Sequence, residues 1–353
     1  MPTINLATKY SDKIITKFTK SSFLAGVAST EYDFAGVKSI TIYTPKTQAL
    51  ADYNRSASAN RFGTPTEMED TIQELTMTQD KSFSITIDKG NQSDQMNIKE
   101  AGKMLKLQLD EQNIPFMDKY AFDVYARKAG KVAGLASAPT KSTIVGILAD
   151  ALTHLDNMLV PMEKRTIFIG ATLHNALRLS DQYLAIDPLG QASLSKGMVG
   201  TFMDVPVVKV PDSYLGKVYF LITYKDAILF PLKFKTLNLH TKAPGIDGAL
   251  LEGRHYFDAF VLGTKADGIY SAVPTADVVA TPVITPTGAS HAITCATGSA
   301  TIMYTIDGSD PRYSKSALTY SGAVVLTSGQ TIKSYAFKTA MYDSEVASAT
   351  YTA

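Results

Sequence analysis

The sequence predicts an α+β protein followed by a small all-β sandwich. Strands and helices mix through the middle of the chain without a regular βαβ repeat, which favours an α+β fold. Past Tyr270 the composition shifts to Ala, Pro, Thr and Val, with few charges. From Pro282 onward, helical patterns disappear and short strands alternate with Gly, Ser and Asp turns. That spacing is typical of a small β-sandwich.

Composition narrows the class of protein. The 353 residues are enough for two or three domains, and 45% hydrophobic residues allow a sizeable core. The 34 Lys and Arg nearly balance 33 Asp and Glu, which argues against a protein that condenses nucleic acid. The single cysteine, Cys295, cannot form an intramolecular disulfide. The N-terminal sequence lacks the pattern of a signal peptide, so we expect synthesis in the cytoplasm.

Motifs that carry chemistry are missing from the sequence. It has no phosphate-binding loop, nucleophile elbow, HExxH or CxxC, and no two of its five histidines have metal-ligand spacing. Asp307 and Asp310 allow a calcium loop as an alternative, but Asp-Gly and Asp-Pro favour a turn there. We therefore predict no catalytic residue, no cofactor and no metal, and a structural role.

The N-terminal part leads into a long loop. Residues 1–50 mix polar and short apolar stretches, which allows either an extended arm or an initial helix, and a strand pattern appears around SITIYTPKTQ. Residues 51–70 are polar, rich in small residues and aperiodic, which predicts a long loop. A loop of this length in a compact domain is usually functional or disordered.

The segment ELTMTQDKSFSITID, residues 74–88, alternates apolar and polar residues on both sides of Gln79–Lys81. This pattern predicts a hairpin with one apolar face. A projecting two-stranded hairpin is marginal alone and needs another surface, which a neighbouring copy of the chain supplies. The residues that we expect to contact a neighbouring subunit are Arg55, Arg61, Phe62, Gly63, Lys81, Phe83, Ile85 and Ile87.

Two helices follow the predicted hairpin. The spacing of apolar residues over 97–130 predicts a long, nearly continuous helix, with Phe116, Tyr120 and Val124 on its apolar face. Pro115 marks a kink or the first turn of a second helix. A second amphipathic helix, TIVGILADALTHLDNMLV, has Met158 and Leu159 at the end of its apolar side. RTIFIG, DVPVVKV and KVYFLITY then predict strands, and TLHNALRLS predicts a helix.

Four stretches together resemble the major capsid proteins of tailed bacteriophages. They are KSFSITIDKGNQSDQ, NIPFMDKYAF, GMVGTFMDVPVVKVPDSYL and EGRHYFDAFVLGTKADGIY, in the order and with the long loop that the family shows. The positions that match the family's motifs are Pro115, Asp118, Tyr120, Phe122, Gly200, Pro206, Arg254, Tyr256 and Asp258.

The resemblance implies a tailed-phage major capsid fold over residues 1–272. Its parts are an N-arm and first strand (1–50), an extended loop (51–90), the spine helix of a peripheral domain (91–138), an axial domain (139–250) and a return to the peripheral domain (251–272). It also implies pentamers and hexamers of the chain, packaged double-stranded DNA inside the shell and a portal. Because no long segment precedes the arm, a separate scaffolding protein is expected. The implied location is the virion capsid, assembled in the host cytoplasm.

The C-terminal part resembles the immunoglobulin-like module of chitobiase and β-hexosaminidase-type enzymes. The resemblance rests on YTIDGSDPRYSKSALTYSG, residues 304–322, and the strands around it. We expect a linker at 273–281 and an immunoglobulin-like (Ig-like) surface domain at 282–353, held clear of the shell and dispensable for its closure. Its expected core residues are Ile302, Tyr304, Ile306, Val324, Leu326, Ile332, Tyr335 and Phe337.

The domain's role has two interpretations. It either decorates the shell exterior or attaches weakly to glycans, for which Tyr313 and Tyr320 are the candidate exposed aromatics. Two other functions are alternatives for the whole chain: a non-viral compartment shell, or a carbohydrate-active enzyme with an accessory domain. The absence of tryptophan and of a recognisable carboxylate pair argues against the enzyme.

Overall fold

The computed structural model describes residues 22–29, 31–32, 34, 38–47, 50–63, 65, 67–68, 70–89, 101–180, 198–240, 245 and 247–352. The helices are α1 (Ala101–Gln108), α2 (Ile114–Arg127), α3 (Ile144–Asn157), α4 (Ala171–Arg178) and α5 (Asp212–Leu215). The strands before the C-terminal sandwich are β1 (Ser39–Pro45), β2 (Asp70–Thr76), β3 (Gln79–Asp88), β4 (Lys131–Leu135), β5 (Arg165–Gly170), β6 (Met198–Phe202), β7 (Val205–Val210), β8 (Phe220–Tyr224), β9 (Ile228–Leu229), β10 (Leu232–His240), β11 (Gly248–Phe257), β12 (Phe260–Val261) and β13 (Tyr270–Pro274). No described helix has the length and apolarity needed to cross a bilayer.

A six-stranded mixed sheet lies at the centre of the fold, in the order β4-β13-β8-β5-β7-β6. Every residue of β5 is buried, because layers cover both faces of the sheet. Ile167 and Ile169 pack with helix α3 on one face, whereas Phe168 packs with α2 on the other. The predicted strands at RTIFIG, DVPVVKV and KVYFLITY, and the helix at TLHNALRLS, are confirmed.

Helix α3 contributes Ile144, Leu148, Ala151 and Leu155 to the core, as its amphipathic pattern predicts. The helix ends at Asn157, so the prediction fails for the two residues that follow it. Met158 is 48% exposed and Leu159 is 88% exposed. Leu159 has a φ of 57°, which turns the chain away from the helix axis and from the core.

The long helix predicted over 97–130 is confirmed within the described residues. It comprises α1, a π-helical turn at Leu109–Asn113, and α2, and we call Ala101–Arg127 the spine helix. Pro115 lies in the first turn of α2, where its missing N–H removes one hydrogen bond from the preceding turn. A π-turn is one way for a helix to absorb such an interruption.

The apolar face of the spine helix differs from the prediction. Ala121, Phe122, Tyr125 and Ala126 are buried in the main core. Phe116, which was expected on that face, is 46% exposed. Tyr120 and Val124 are only partly buried against the core. The predicted positions lie at the edge of the buried face, because the helix turns residues 121–126 toward the main core.

The hairpin predicted over residues 74–88 is wrong. Its two halves are both strands, but they pair with distant partners: β2 pairs antiparallel with β1, and β3 pairs antiparallel with β11. Only Met77 and Thr78 lie between β2 and β3, and Met77 is fully buried. The alternation identified two strands correctly, but it did not identify their partners.

The C-terminal sandwich is confirmed as two sheets, in the orders β14-β15-β18 and β17-β16-β19-β20. Its strands are β14 (Val283–Thr287), β15 (Ser290–Thr294), β16 (Thr301–Thr305), β17 (Leu318–Thr319), β18 (Val324–Val325), β19 (Thr331–Phe337) and β20 (Ala347–Thr350). Ile293, Leu326 and Ile332 form the buried centre of its core. We call residues 282–353 the module.

Three of the expected core residues of the module lie elsewhere. Ile306 and Phe337 are each 37% exposed. Tyr335 is buried, but it alternates with Ile332 along β19 and so faces away from the sandwich core. Its ring contacts the Lys128 ammonium, at 5.7 Å from the ring centroid.

The module is not held clear of the rest of the chain, contrary to the expectation. The predicted linker starts inside strand β13, which ends at Pro274. Val278 forms a parallel bridge with Tyr342 of the module, and Tyr342 is buried in the main core. The domain boundaries themselves stay predictions.

Candidate functional site: the projecting loop and the spine helix

The long loop projects from a two-stranded ribbon, which consists of β1 and β2. The register runs from Ser39 opposite Thr76 to Pro45 opposite Asp70, so the loop leaves and returns at one end of the ribbon. We call residues 50–63 the loop tip. The predicted strand at SITIYTPKTQ and the loop that follows it are confirmed within the described residues.

The loop tip is held together by its own contacts. The Asn54 side chain accepts hydrogen bonds from the backbone N–H groups of Ser56 and Ala57. The backbone N–H of Asn54 donates to the carbonyl of Arg61 at 2.9 Å, and Arg61 Nε donates to the Ala57 carbonyl. Gly63 closes a tight turn with φ of 91°, a conformation that strongly favours glycine.

The loop tip exposes large apolar side chains. Phe62 is 87% exposed, and Leu50 is fully exposed. The Tyr53 and Phe62 rings make an edge-to-face contact at 4.9 Å, which holds one aromatic surface in place. The predicted contact residues Arg55, Arg61, Phe62 and Gly63 all lie on this tip. Ordered apolar surface of this kind marks an interaction site, so subunit contact at these residues stays our prediction.

The other four predicted contact residues lie on β3 and are partly used inside the chain. Phe83, Ile85 and Ile87 share one face of the strand, as the alternation predicts, and Ile87 is buried. The Phe83 ring stacks on His255, and a Cβ at Gly253 would come as close as 2.2 Å to the Phe83 ring. The lack of an internal partner, on which their candidacy rested, therefore does not hold for these residues.

Lys81, the last of the four, lies at a groove beside the spine helix. Its ammonium is 5.6 Å from the centre of the Phe116 ring. The groove, of about 240 Å³, is lined by Lys81, Ser82, Phe83, Gln108, Gln112, Asn113, Phe116, Met117, His255 and Phe257. Subunit contact at Lys81, Phe83 and Ile85 stays a prediction.

The spine helix anchors the segment before the first strand through Asp118. Its carboxylate accepts hydrogen bonds from Ser22 Oγ at 2.6 Å and from the Phe23 backbone N–H at 2.9 Å. Burial raises the pKa of the Asp118 carboxyl, and these two hydrogen bonds act in the opposite direction. Asp118 was predicted as a fold-motif residue, and in the structure it holds residues 22 and 23 on the helix.

Tyr120 connects the same helix to the junction between β2 and β3. Its hydroxyl donates to Asp258 at 2.7 Å. The Asp258 carboxylate also accepts from the backbone N–H and the hydroxyl of Thr78, and from the Ala259 N–H. Burial, together with the hydrogen bond to Asp258, raises the pKa of Tyr120 to about 12. Tyr120 and Asp258, which are distant in sequence, are therefore brought together.

The remaining motif residues serve local packing. The Phe122 ring meets Phe168 edge-to-face at 5.0 Å, between the spine helix and the central sheet. Arg254 Nε donates to the Asp80 carboxylate across the β3–β11 pair, and Tyr256 donates to the Met77 carbonyl. Gly200 has a φ of 138° in β6, and Pro206 pairs with Thr201 across β6 and β7. Pro115 and Phe122 thus act at the spine helix, and Gly200 and Pro206 act in the six-stranded sheet.

The predicted turn at Asp307 is confirmed. Its carboxylate accepts from the Ser309 backbone N–H at 2.9 Å and from the Ser316 hydroxyl at 2.8 Å. The Asp310 carboxylate binds the Arg312 guanidinium at 2.7 Å. Among the described residues, no group of three or more His, Cys, Asp and Glu side chains is arranged to hold a metal.

The two tyrosines proposed for glycan contact are both packed. The Tyr313 hydroxyl donates to the Lys128 carbonyl, and its ring packs against the main core. The Tyr320 hydroxyl accepts from the Ile293 N–H inside the sandwich. Neither ring is a free surface for a sugar, so the glycan hypothesis loses the residues that supported it.

Solved phage structures share the fold of this chain. One is from Mycobacterium phage Che8, with a TM-score of 0.63 and 17% identity, covering 76% of this chain and 96% of that one. The capsid of cyanophage P-SCSP1u gives 0.61 and 13%, covering 76% and 92%. The mature capsid of bacteriophage PhiM1 gives 0.56 and 13%, covering 77% and 92%. The chain therefore has the tailed-phage capsid fold, with an all-β region at its C-terminus.

The C-terminal region also matches a sequence family. The model of the family described as "Fn3 associated" matches residues 292–351, which lie within the Ig-like module. The more specific resemblance to the chitobiase module is not confirmed. No curated protein matches the sequence.

Proposed function

We propose that this chain is the major capsid protein of a tailed bacteriophage. In this proposal it forms pentamers and hexamers that close an icosahedral shell around packaged double-stranded DNA. The observation that carries the proposal is the exposed, internally ordered loop tip on a capsid fold. Phe62 on this tip is 87% exposed, and within the part of the chain that the structure describes no loop-tip residue belongs to a hydrophobic core.

A second copy of the chain is the occupant that best fits the loop tip. An apolar surface that is already ordered loses little conformational entropy on binding, and its burial removes Leu50 and Phe62 from water. In a closed shell each copy offers the same loop to a neighbour, so many ordinary contacts reinforce one another. A wall with near-neutral net charge also encloses DNA without adhering to it strongly.

The other partners follow from this role. A separate scaffolding protein directs closure, a portal occupies one vertex, and DNA fills the interior. Assembly takes place in the host cytoplasm and gives the virion capsid, and the chain has no enzymatic role. The module lies on the outer surface, because a hydroxyl-rich β-sandwich gains nothing from contact with packaged DNA.

The test removes the apolar surface of the loop tip without shortening the chain. In the double variant Leu50→Ser with Phe62→Ser, both side chains are exposed, so the fold of the single chain is expected to survive. We expect a soluble, folded monomer that forms no capsomers or shells. The matched control is Leu318→Ser, an equally apolar and 55% exposed residue of the module, which should assemble normally.

Sedimentation velocity and electron microscopy of the three proteins provide the measurement. Normal assembly of the double variant would contradict the proposed role of the loop tip. Particles that form in infected cells but contain no DNA would instead favour the non-viral compartment shell.

A further inference from the structure

The module forms hydrogen bonds with the residues that immediately follow the spine helix. Arg312 Nη1 donates to the carbonyls of Ala129 and Gly130, at 2.9 and 3.1 Å, and Tyr313 donates to the carbonyl of Lys128. The guanidinium is nearly buried, and the Asp310 carboxylate holds it in place. These three carbonyls belong to the residues that follow the last helical residue, Arg127, so the two side chains of the module hold the chain where it leaves the helix.

A second loop of the module, residues 341–345, contacts the basic side chains of the same segment. Arg127 donates to the Met341 carbonyl at 2.6 Å, and the Lys128 ammonium pairs with Asp343 at 2.7 Å. Lys131 pairs with Glu345. Two separate loops of the module therefore hold residues 127–131. This double attachment fixes the orientation of the module relative to the spine helix.

The module also contacts the ribbon that carries the projecting loop. The Lys315 backbone N–H donates to the Ile72 carbonyl at 3.1 Å, and its ammonium pairs with Glu74 at 2.9 Å. Directly after the other strand, β1, Lys46 Nζ donates to the Asp307 carbonyl at 3.1 Å. A two-stranded ribbon is marginal by itself, so contacts with both of its strands restrict its direction.

Gly263 lies where the ribbon, the main core and the module meet. Its N–H donates to the Gln73 side chain of β2 at 2.9 Å. A Cβ at this glycine would lie 2.6 Å from the Cβ of Tyr313, which is too short for two carbon atoms. Tyr313 can therefore dock only because residue 263 has no side chain.

We propose that the module is an internal brace. It fixes the direction of the ribbon that carries the projecting loop relative to the spine helix, and assembly requires it. The docking of the module on the ribbon and the spine helix is argued from contacts within one chain. The requirement of this docking for assembly rests on the proposed shell function. This role replaces the expectation that the module only decorates the exterior and is dispensable.

Hydrogen exchange of the full chain tests the brace without reference to assembly. The Lys315 amide is protected only if the module stays docked on Ile72, whereas amides of β19 are protected by the sandwich alone. We expect Gly263→Ala to raise exchange at Lys315 at least about tenfold and to leave β19 unchanged. Gly322→Ala is the matched control, because a Cβ there meets nothing within 4 Å.

Arg312→Lys is the second variant, in case Gly263→Ala does not fold. It keeps the charge but loses the planar guanidinium, which binds Asp310 through Nε and Nη2 and the two carbonyls through Nη1, so it should also raise exchange at Lys315. The brace is refuted if the wild-type Lys315 amide exchanges as fast as an unstructured amide, or if both docking variants leave it unchanged. If exchange rises but shells form normally, the brace exists and assembly does not depend on it. If no protein of this chain assembles, the shell function fails instead.

Discussion

His174 shows what burial does to a single titratable residue. It lies on α4, and its Nδ1 is buried and has no hydrogen-bond partner among the described residues. Burial, with Lys209 and Arg178 nearby, lowers the pKa of His174 to about 4. The sequence predicted a helix around His174 but did not predict the burial of its side chain, because eight residues are too few for the apolar pattern to show which face is buried.

His174 gives a pH-dependent prediction. The unfolded chain binds the proton below about pH 6.5, whereas the folded chain binds it only near pH 4. The folded state is therefore fully favoured above pH 6.5 and loses stability as the pH falls toward 4. Melting temperatures measured between pH 8 and pH 4 should fall less for His174→Leu than for the wild type. Parallel curves for the two proteins would contradict this assignment.

At the scale of secondary-structure elements, the Asp118 carboxylate holds residues 22 and 23 on the spine helix. Replacing Asp118 with Ala leaves the Phe23 N–H and the Ser22 hydroxyl without their acceptor. We expect the free energy of unfolding to fall by about 1–3 kcal/mol, the usual cost of unsatisfied buried groups. Urea denaturation measures this change.

Asp123→Ala is the control on the same helix. Asp123 is half-exposed and pairs with Arg127 four residues later, so its loss should cost no more than about 0.5 kcal/mol. Equal losses for the two variants would show that Asp118 does not anchor the arm.

Strand identity was predictable from the sequence, and strand partners were not. Period-two alternation located β2 and β3, but both pair with strands that lie far from the predicted hairpin turn. Alternation records which side of a strand is apolar, whereas pairing depends on long-range contacts such as those of Asp258 with Thr78. The family motifs include both Tyr120 and Asp258, whose contact in the fold the spacing of residues does not predict.

At the scale of the whole molecule, the sequence predicted the two parts and missed how they join. The capsid fold and the Ig-like module were both predicted, since each has its own internal pattern. Docking of the module depends on hydrogen bonds from Arg312 and Tyr313 to backbone carbonyls near residue 130. Every residue has a backbone carbonyl, so the sequence does not show which carbonyls accept these bonds. The available signal was Gly263, whose lack of a side chain permits the approach of Tyr313.

The central claim is that copies of this chain assemble through the loop tip. Electron cryomicroscopy of particles formed by the full chain, expressed alone and together with the other head proteins encoded beside it, tests this claim most directly. We predict closed icosahedral shells in which Phe62 of each copy lies against a neighbouring copy and the module lies outside, in contact with the end of its own spine helix. A chain that remains monomeric under these conditions, or shells in which Phe62 stays in solvent, would contradict the account.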